Sequence, residues 1–273
     1  MADPLVLSPT SHKQFRRCPQ QWYFRNIERF TMPPPVKVLL GSAVHTAVEH
    51  DLLQKVESRE DRPTAEVLDR YDGAFDDEIK GGVDEDEPIG KAKDDGVRML
   101  KMFMEGSDKQ PAVAPTLQPV WVERATQFRV IKEHVEGCDR GAGCDCGVPF
   151  NVTLDMATED DAVHDLKTTA RAPSGGAHLM QVAAGAIGFE VETGRPAQDT
   201  VIDTLIRTKE AKYHRESYGR VDEHMKRVFA TQVDHTVKMI NAGLFPTLGT
   251  EGIVPACGSC GYKPICPAWR RRK

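Results

Sequence analysis

Apolar residues recur at helical spacing through the first part of the chain. Phe15, Cys18 and Trp22 fall at i, i+3 and i+7, which places them on one helical face. Pro19 interrupts this run, because a proline inside a helix removes a hydrogen bond and clashes with the preceding turn. The pattern therefore predicts two short helices that meet at Cys18-Pro19, the first of them capped by Ser8.

Longer stretches with the same period predict further helices. Within 41–56 the apolar residues form one face, and His45 and Glu49 form a neighbouring polar stripe at i, i+4. The other predicted helices run from a cap at Thr64 to Ile79, over 91–106, over 175–192 and over 221–244. The small residues within 175–192 predict close packing of that helix on a sheet.

The period changes after a proline-rich connection at 109–119. Strand-like segments cover 120–135, 152–156, 162–168, 201–207 and 213–218. The second and third are predicted to form a hairpin across a polar run. A turn centred on Asp160 places Asp155 opposite Asp165, and Lys167 then points to the same side as Asp165.

The order of elements predicts the fold class. Helices come first, then a β-region with one intervening helix, then a long helix and a cysteine-rich tail. This is typical of an α/β or α+β chain with a mixed central sheet flanked by helices. We expect a single domain over 1–273, with a helical region at 1–108, a core at 119–244 and a tail at 245–273 that joins Cys18.

The charges of the predicted hairpin admit two readings. Directly opposed carboxylates destabilise a sheet, and a bound cation relieves them because it reverses the sign of the local field. Asp155, Asp165 and Lys167 on one patch are consistent with such a site. The alternative is a solvated hairpin with scattered charges.

Composition narrows the class of protein. With 273 residues and 40% hydrophobic content, the chain is long enough to bury a sizeable core. No apolar run approaches the roughly 18 residues that span a membrane, and the first residues lack the order of a signal peptide, so we expect an intracellular protein. The net charge of −5 does not by itself indicate nucleic-acid binding, but basic residues gather near both ends, which leaves room for a local basic groove.

The spacing of cysteines in the tail predicts a metal site. Cys257, Cys260 and Cys266 form a C-x2-C followed by a third cysteine in a glycine-rich segment. Cys18 is the candidate for a fourth ligand, since it also precedes a proline. Four thiolates suit an iron–sulfur cluster or a structural zinc ion, and the spacing does not choose between them.

A second group of soft ligands lies in a glycine-rich loop. His134, Cys138, Cys144 and Cys146 fall within 13 residues, which is compatible with a zinc site. The spacing matches no specific pattern, so a loop of free thiols is the alternative.

Four elements, in this order along the chain, carry a family resemblance. They are Leu7-Ser8-Pro9-Thr10-Ser11 with Cys18-Pro19, the motif Gly41-Ser-Ala-Val-His45, the acids Asp155 and Asp165-Leu166-Lys167, and the final Cys257, Cys260, Cys266 and Pro267. The chain resembles RecB-type exonucleases of the PD-(D/E)xK superfamily, and within them the iron–sulfur branch that includes the CRISPR-associated Cas-four exonucleases and phage relatives. Gln181 fits the family's Q-x3-Y helix, whereas Gly185 stands where a tyrosine is expected.

The resemblance implies a fold, cofactors and site residues. The fold is a restriction-endonuclease-like core, closed by a [4Fe–4S] cluster on the four cysteines. Mn²⁺ or Mg²⁺ would be held by His45, Asp155, Asp165 and the Leu166 carbonyl. Lys167 would orient the attacking water or offset charge on the phosphate, and Gln181 would hold the lysine or the strand. Glu123 resembles a further acidic position of the family.

The implied function is metal-dependent exonuclease activity on DNA, with a preference for single-stranded ends. Its setting would be DNA recombination, repair or CRISPR-type processing in a phage or prokaryotic cell, alongside recombination or CRISPR-adaptation proteins. One alternative is a non-catalytic iron–sulfur module that binds DNA ends within a larger complex. A third class is a structural protein stapled by zinc.

Overall fold

A computed structural model provides the fold. It describes residues 5–84, 87–130, 147–171, 178–247, 257–258 and 260–270. In this part of the chain no helix has the length and apolar character needed to cross a membrane.

The described elements follow the predicted order of helices, mixed sheet, helix and tail. The helices are α1 Pro9–Arg17, α2 Pro19–Asn26, α3 Val36–Ser58, α4 Thr64–Lys80, α5 Ile89–Glu105, α6 Leu179–Thr193, α7 Glu223–Asn241 and α8 Pro267–Arg270. A short 3-10 turn covers Ala114–Thr116. The strands are β1 Pro119–Val130, β2 Val148–Thr158, β3 Ala162–Thr169, β4 Asp199–Ile206 and β5 Lys212–Ser217.

The chain divides into two compact units. The first unit contains Met1–Pro33, Gln127–Val152 and Asp222–Lys273, and the second contains Pro34–Thr126 and Thr153–Val221. Strands β1 and β2 contribute residues to both. The expectation of one domain over 1–273 stays a prediction.

The sheet has the order β1-β2-β3-β4-β5. Strands β2 and β3 are antiparallel, β3 and β4 are parallel across the α6 connection, and β4 and β5 are antiparallel. The sheet is therefore mixed, as predicted. Met156 pairs with His164 and Ala157 with Val163, so the register is centred on residue 160 and the predicted hairpin register is confirmed. Asp161 completes the turn with a φ of 59°.

Helix α3 begins at Val36, five residues before the predicted start at Gly41. Gly41 lies inside the helix, at a position where a Cβ would come within 2.9 Å of the Thr168 hydroxyl on β3, so that a side chain here would be crowded. The glycine marks a close approach of helix and strand, whereas the sequence pattern suggested a helix start. This approach brings the following turn of α3, with His45, towards the sheet.

The core of the second unit joins α3, α4 and α5 to the sheet. Tyr71 of α4 is fully buried, and its hydroxyl donates to the Lys93 carbonyl at 3.1 Å. The ring fits only because residue 96 of α5 is glycine, since a Cβ on Gly96 would lie 2.0 Å from the tyrosine oxygen. The predicted cap of α4 is wrong by one residue: Pro63 occupies the N-cap position and Thr64 is already helical.

Helix α6 connects the two parallel strands and packs on the sheet through small residues. A Cβ on Gly185 would meet Val163 at 3.4 Å and Leu154 at 3.8 Å, so the helix lies directly on β2 and β3. This confirms the predicted close packing of this helix. The helix begins at Leu179, and residues 172–177 of the predicted segment lie outside the described residues.

The first unit contains α1, α2, α7 and the tail. Ser8 caps α1 by accepting from the Ser11 amide at 3.2 Å. The two helices break at Cys18, whose backbone is extended, and Pro19 begins α2, as predicted. Helix α7 is shorter than predicted because Asp222 caps it by accepting from the Met225 amide at 2.7 Å.

Candidate active site and cysteine cluster

Three donor side chains of the second unit meet around one point. His45 comes from α3, Glu123 from β1 and Asp155 from β2, and one ligand atom of each lies within 4.8 Å of the other two. His45 Nδ1 is 3.7 Å from Asp155 Oδ2. Two oxygens and one imidazole nitrogen at this spacing fit around a single divalent cation.

The backbone at Leu166 orders this group. Its amide donates to Asp155 Oδ2 at 2.9 Å, which fixes the carboxylate across the β2–β3 pair. Its carbonyl accepts from the Lys167 ammonium at 3.1 Å and hydrogen-bonds the His45 ring. The Leu166 carbonyl therefore lies beside His45 and the Lys167 ammonium, and its expected role as a ligand stays a prediction.

Asp165 and Lys167 lie beside these three donors, and the expected role of Asp165 as a ligand stays a prediction. The Lys167 ammonium forms an ion pair with one oxygen of Asp165. Gln181 of α6 donates to the other oxygen at 2.5 Å. Both oxygens of Asp165 therefore have a partner. The sequence predicted that Gln181 would hold Lys167 or the strand, whereas its side chain contacts Asp165.

The surroundings keep His45 neutral and Glu123 close to half-protonated at neutral pH. Burial, and next the charge of Lys167, lower the pKa of His45 to about 4. Partial burial raises the pKa of Glu123 to about 7, and the charges of Asp155 and Glu49 add to this effect. The Glu123 residue as a whole is exposed to solvent, although its carboxylate is near the carboxylates of Asp155 and Glu49.

The two hairpin aspartates are also held in unfavourable surroundings for a charge. Burial raises the pKa of Asp155 above its usual range despite the opposing charge of Lys167. Burial raises the pKa of Asp165 to about 6, with Lys167 opposing this change and Asp155 adding to it. A divalent cation would favour the charged carboxylates, because it supplies the positive charge that one lysine cannot supply alone.

Glu123 has a strained backbone. Its φ of 49° lies in the left-handed region, which is uncommon for a residue other than glycine and costs about 1–2 kcal/mol. Such positions cluster at functional sites when the surrounding structure holds them. Sequence reasoning gave Glu123 less weight than Asp165, because no spacing signal connects β1 with the hairpin.

A buried network lies behind the donor group and was not predicted. His164 and Asp203 line the same open pocket of about 380 Å³ as His45 and Asp155. His164 Nδ1 is 2.7 Å from Asp203 Oδ2, and Arg215 Nε donates to Asp203 Oδ1 at 2.9 Å. Burial acts to raise the pKa of Asp203, but the hydrogen bonds from His164 and Arg215 outweigh it and lower this pKa overall. The residues lie singly in strands, so no sequence pattern reveals the network.

The four predicted cluster cysteines line one cavity in the first unit. Cys18, Cys257, Cys260 and Cys266 surround an open space of about 450 Å³. Burial raises the pKa of Cys260, and the other three cysteines add to this effect. The tail is held in place by Tyr262, which donates to the Phe30 carbonyl at 3.0 Å.

Four thiols around one cavity are compatible with either an iron–sulfur cluster or a structural zinc ion, the two alternatives that the sequence left open. The predicted second group, His134, Cys138, Cys144 and Cys146, lies outside the described residues.

Comparison with solved structures shows a shared fold. The crystal structure of a "Putative exonuclease" from Eubacterium rectale matches with a TM-score of 0.55 and 11% identity, over 98% of this chain and 88% of that one. At this identity the likeness shows the fold alone. The crystal structure of SSO0001 is 14% identical over 95% of both chains, and its TM-score of 0.36 is too low to carry an argument. No significant match was found among curated proteins.

Comparison with family models concerns almost the whole chain. The model described as the PD-(D/E)XK nuclease superfamily matches residues 6–267. This span includes the helix with His45, the strand with Asp155 and the Asp165-Leu166-Lys167 sequence. The chain belongs to the PD-(D/E)XK nuclease superfamily.

Proposed function

We propose that this chain is a nuclease that uses a divalent cation to hydrolyse phosphodiester bonds of DNA, acting from single-stranded ends. The observation that carries the proposal is the convergence of donor atoms from His45, Glu123 and Asp155 within 4.8 Å, with the Lys167 ammonium beside them. Three separate elements supply these donors, so chance alternation along one strand does not account for the group.

His45, Asp155, Asp165 and the Leu166 carbonyl would hold the cation, with Glu123 as a further donor beside His45 and Asp155. These are the hard oxygen ligands that Mg²⁺ and Mn²⁺ prefer, with one imidazole nitrogen that favours Mn²⁺. A cation at this position supplies Lewis-acid stabilisation of charge on the phosphate and lowers the pKa of water. The neutral state of His45 at pH 7 leaves its nitrogen free to bind.

Lys167 is proposed to act on the substrate. Its ammonium lies against the Leu166 carbonyl at 3.1 Å, at the edge of the donor group. From there its positive charge can stabilise negative charge on an oxygen of the scissile phosphate, or the ammonium can orient the attacking water. Asp165, with Gln181 bound to its second oxygen, holds this lysine in place and adds negative charge for the cation.

The preference for single-stranded DNA ends rests on the resemblance to RecB-type exonucleases. The same resemblance carries the proposal that the activity serves recombination, repair or CRISPR-type processing of DNA. Within the superfamily the substrate and the setting vary, so the assay must include several forms of DNA.

The test compares two aspartate variants of equal chemistry. Asp155→Asn removes a proposed ligand charge but keeps an oxygen that can accept from the Leu166 amide. Asp51→Asn is the matched control, because Asp51 is a fully buried aspartate on α3 that is not among the proposed ligands. Each protein is incubated with end-labelled linear single-stranded DNA, linear duplex and closed circular single-stranded DNA, with Mg²⁺, Mn²⁺ or EDTA.

We expect the wild type and the Asp51 variant to degrade linear single strands, and the Asp155 variant to lose at least a hundredfold in rate, since removing one catalytic charge costs several kcal/mol. Undiminished cleavage by the Asp155 variant contradicts the assignment of this residue. Cutting of closed circles at the same rate as linear DNA contradicts the requirement for an end. A wild type that binds DNA but never cuts it favours the non-catalytic end-binding module.

We further propose that Cys18, Cys257, Cys260 and Cys266 hold a [4Fe–4S] cluster. The cavity that the four thiols line and the resemblance to the iron–sulfur branch support this proposal. Such a cluster would join the break between α1 and α2 to the tail and would stabilise the first unit directly.

The measurement is the iron, acid-labile sulfide and zinc content of anaerobically purified protein, with its visible absorption spectrum. We expect about four irons and four sulfides per chain, and loss of the absorption band in Cys260→Ser. Zinc without sulfide contradicts the cluster and favours a zinc-stapled tail. Nuclease activity is measured on the same samples, so that the nuclease proposal and the cluster proposal can each fail without the other.

A further inference from the structure

Exposed apolar side chains are concentrated just after α2. In the first unit, Ile27 is 52% exposed, Phe30 is 44% exposed and Met32 is 41% exposed. Three large exposed apolar residues thus lie within six positions of the chain, and exposed apolar residues grouped in this way often mark interaction sites. We call residues 25–32, which include the last two residues of α2, the post-α2 segment.

This segment is held in a defined conformation. The Phe30 amide donates to the Phe24 carbonyl at 2.9 Å, and the Phe30 carbonyl accepts from the Tyr262 hydroxyl at 3.0 Å. The Phe30 ring lies 6.2 Å from the buried Phe24 ring at a tilt of 56°. One side of the Phe30 ring is therefore supported by the core, and its remaining surface faces solvent.

The backbone carries strain at the same place. Arg29 has a φ of 58°, in the left-handed region that residues other than glycine rarely adopt. The Arg29 side chain is exposed, and in the sequence it lies between the exposed Ile27 and Phe30. Strain of this kind recurs at ligand clamps, where the surrounding structure holds it.

The charge around the segment is one-sided. Between residues 5 and 35 the sequence has five basic residues and a single acid, Glu28. The Tyr23 hydroxyl donates to the Glu28 carboxylate, which engages that acid within the same unit. Arg25 and Arg29 are exposed and form no ion pair with any residue that the structure describes.

We propose that the post-α2 segment is a binding surface for single-stranded DNA, in which a base stacks on Phe30 and phosphates pair with Arg25 and Arg29. This rests on the proposed nuclease function and names a surface that would hold its substrate strand. Aromatic rings combined with basic side chains bind single strands because every base has a π-face and every linkage has a charge. A duplex keeps its bases stacked on one another and so offers no free face to Phe30.

The first test is fluorescence anisotropy of a labelled oligothymidylate with full-length protein in EDTA, so that no strand is cut. Base stacking on an aromatic side chain is worth enough that Phe30→Ala should weaken binding about tenfold. Phe30→Trp should keep or improve affinity, and Phe30→Leu should lose nearly as much as the alanine variant because it is apolar but cannot stack. Leu53→Ala, at a 48% exposed site on α3, is the control for a truncated surface residue and should bind as the wild type does.

The second test removes the charges. The double variant Arg25→Gln, Arg29→Gln should reduce the slope of log affinity against log salt by about 1.4, because each phosphate contact to a single strand contributes about 0.7. The control is Arg70→Gln, Lys101→Gln, which removes two exposed charges of the second unit and should leave the slope unchanged.

Several results would overturn the inference. One is that all Phe30 variants bind the oligothymidylate as tightly as the wild type, and another is that Phe30→Leu and Phe30→Trp lose the same affinity. A third is that the variants weaken binding of a blunt duplex as much as binding of a single strand, and a fourth is that the double arginine variant leaves the salt slope unchanged. Loss of self-association in Phe30→Ala with unchanged DNA binding also overturns it, because the patch would then be a protein contact. Phe30-dependent binding by a wild type that never cleaves DNA supports the surface while refuting the nuclease, whereas cleavage with Phe30-independent binding does the reverse.

Discussion

Replacing Gln181 with methionine tests how Asp165 is held. The Gln181 amide donates to Asp165 Oδ1 at 2.5 Å, and Lys167 pairs with the other oxygen. Methionine has nearly the same length and volume but no donor. The substitution therefore removes one hydrogen bond from a carboxylate whose side chain is only 17% exposed and leaves the packing of α6 almost unchanged.

The magnitude follows from the charge of the acceptor. A hydrogen bond to a charged group contributes about 1.5–3 kcal/mol, and 1.36 kcal/mol corresponds to one pKa unit. The pKa of Asp165 is already raised to about 6, with burial as the largest cause. Without Gln181 it should rise by about one to two further units. The charged form is the active one, so activity on the acidic side is lost at a higher pH than in the wild type.

The assay is the rate of single-strand degradation from pH 6 to pH 9 at saturating Mn²⁺. We expect Gln181→Met to lose roughly twofold to tenfold at pH 7 and to recover towards the wild-type rate at pH 9, because alkaline pH restores the carboxylate. Gln198→Met is the matched control, since Gln198 is exposed and its amide makes only a 3.4 Å contact with the Pro196 carbonyl.

Two results would refute this reasoning. A pH profile for Gln181→Met that coincides with the wild type shows that Gln181 does not favour the charged form of Asp165. A loss of the same size at every pH shows that Gln181 acts by another route, such as substrate contact. Equal melting temperatures for the two variants are needed to attribute the loss to the site.

Three further outcomes are expected. Gly96→Ala should destabilise the fold by about 1–3 kcal/mol in urea unfolding, because its Cβ would lie 2.0 Å from the Tyr71 oxygen, and the loss should vanish in a Tyr71→Ala background. The pKa of Asp51 is raised to about 6 mainly by burial, so the folded state of the wild type loses stability as pH rises from 4 to 7. In urea unfolding, Asp51→Asn should therefore be more stable than the wild type by about 1–3 kcal/mol at pH 8. Near pH 4 the two proteins should be equally stable. Because the pKa of Glu123 is about 7 without a cation, Mn²⁺ affinity measured by calorimetry should rise between pH 6 and pH 8, and Glu123→Gln should bind more weakly with a smaller dependence on pH.

The local elements and the hairpin register followed from the sequence. Helical and strand periods depend on residues a few positions apart, so the break at Cys18-Pro19 and the order of the elements were predictable. The pairing of β2 with β3 depends on one short turn, and the position of Asp160 was sufficient to set it. The spacing of the tail cysteines likewise predicted that they lie together with Cys18, and the four line one cavity.

The meeting of distant residues required the tertiary structure. The position of Glu123 beside His45 and Asp155 depends on how α3 and β1 approach β2, and on a left-handed residue that no local pattern reveals. Gly41 was interpreted as a helix start because its role, the contact with Thr168, lies far along the chain. The His164 and Asp203 pair was invisible for the same reason.

The sequence by itself therefore determined which chemical groups the protein has and in which elements they lie. The tertiary structure decided which of them act together. The hairpin places Asp155 and Asp165 on neighbouring strands, but packing brings Asp155 close to His45 and Glu123 and joins Asp165 to Lys167 and Gln181. The physical reason is range: periodicity arises from the backbone geometry of a few residues, whereas convergence arises from side chains that share one packed volume.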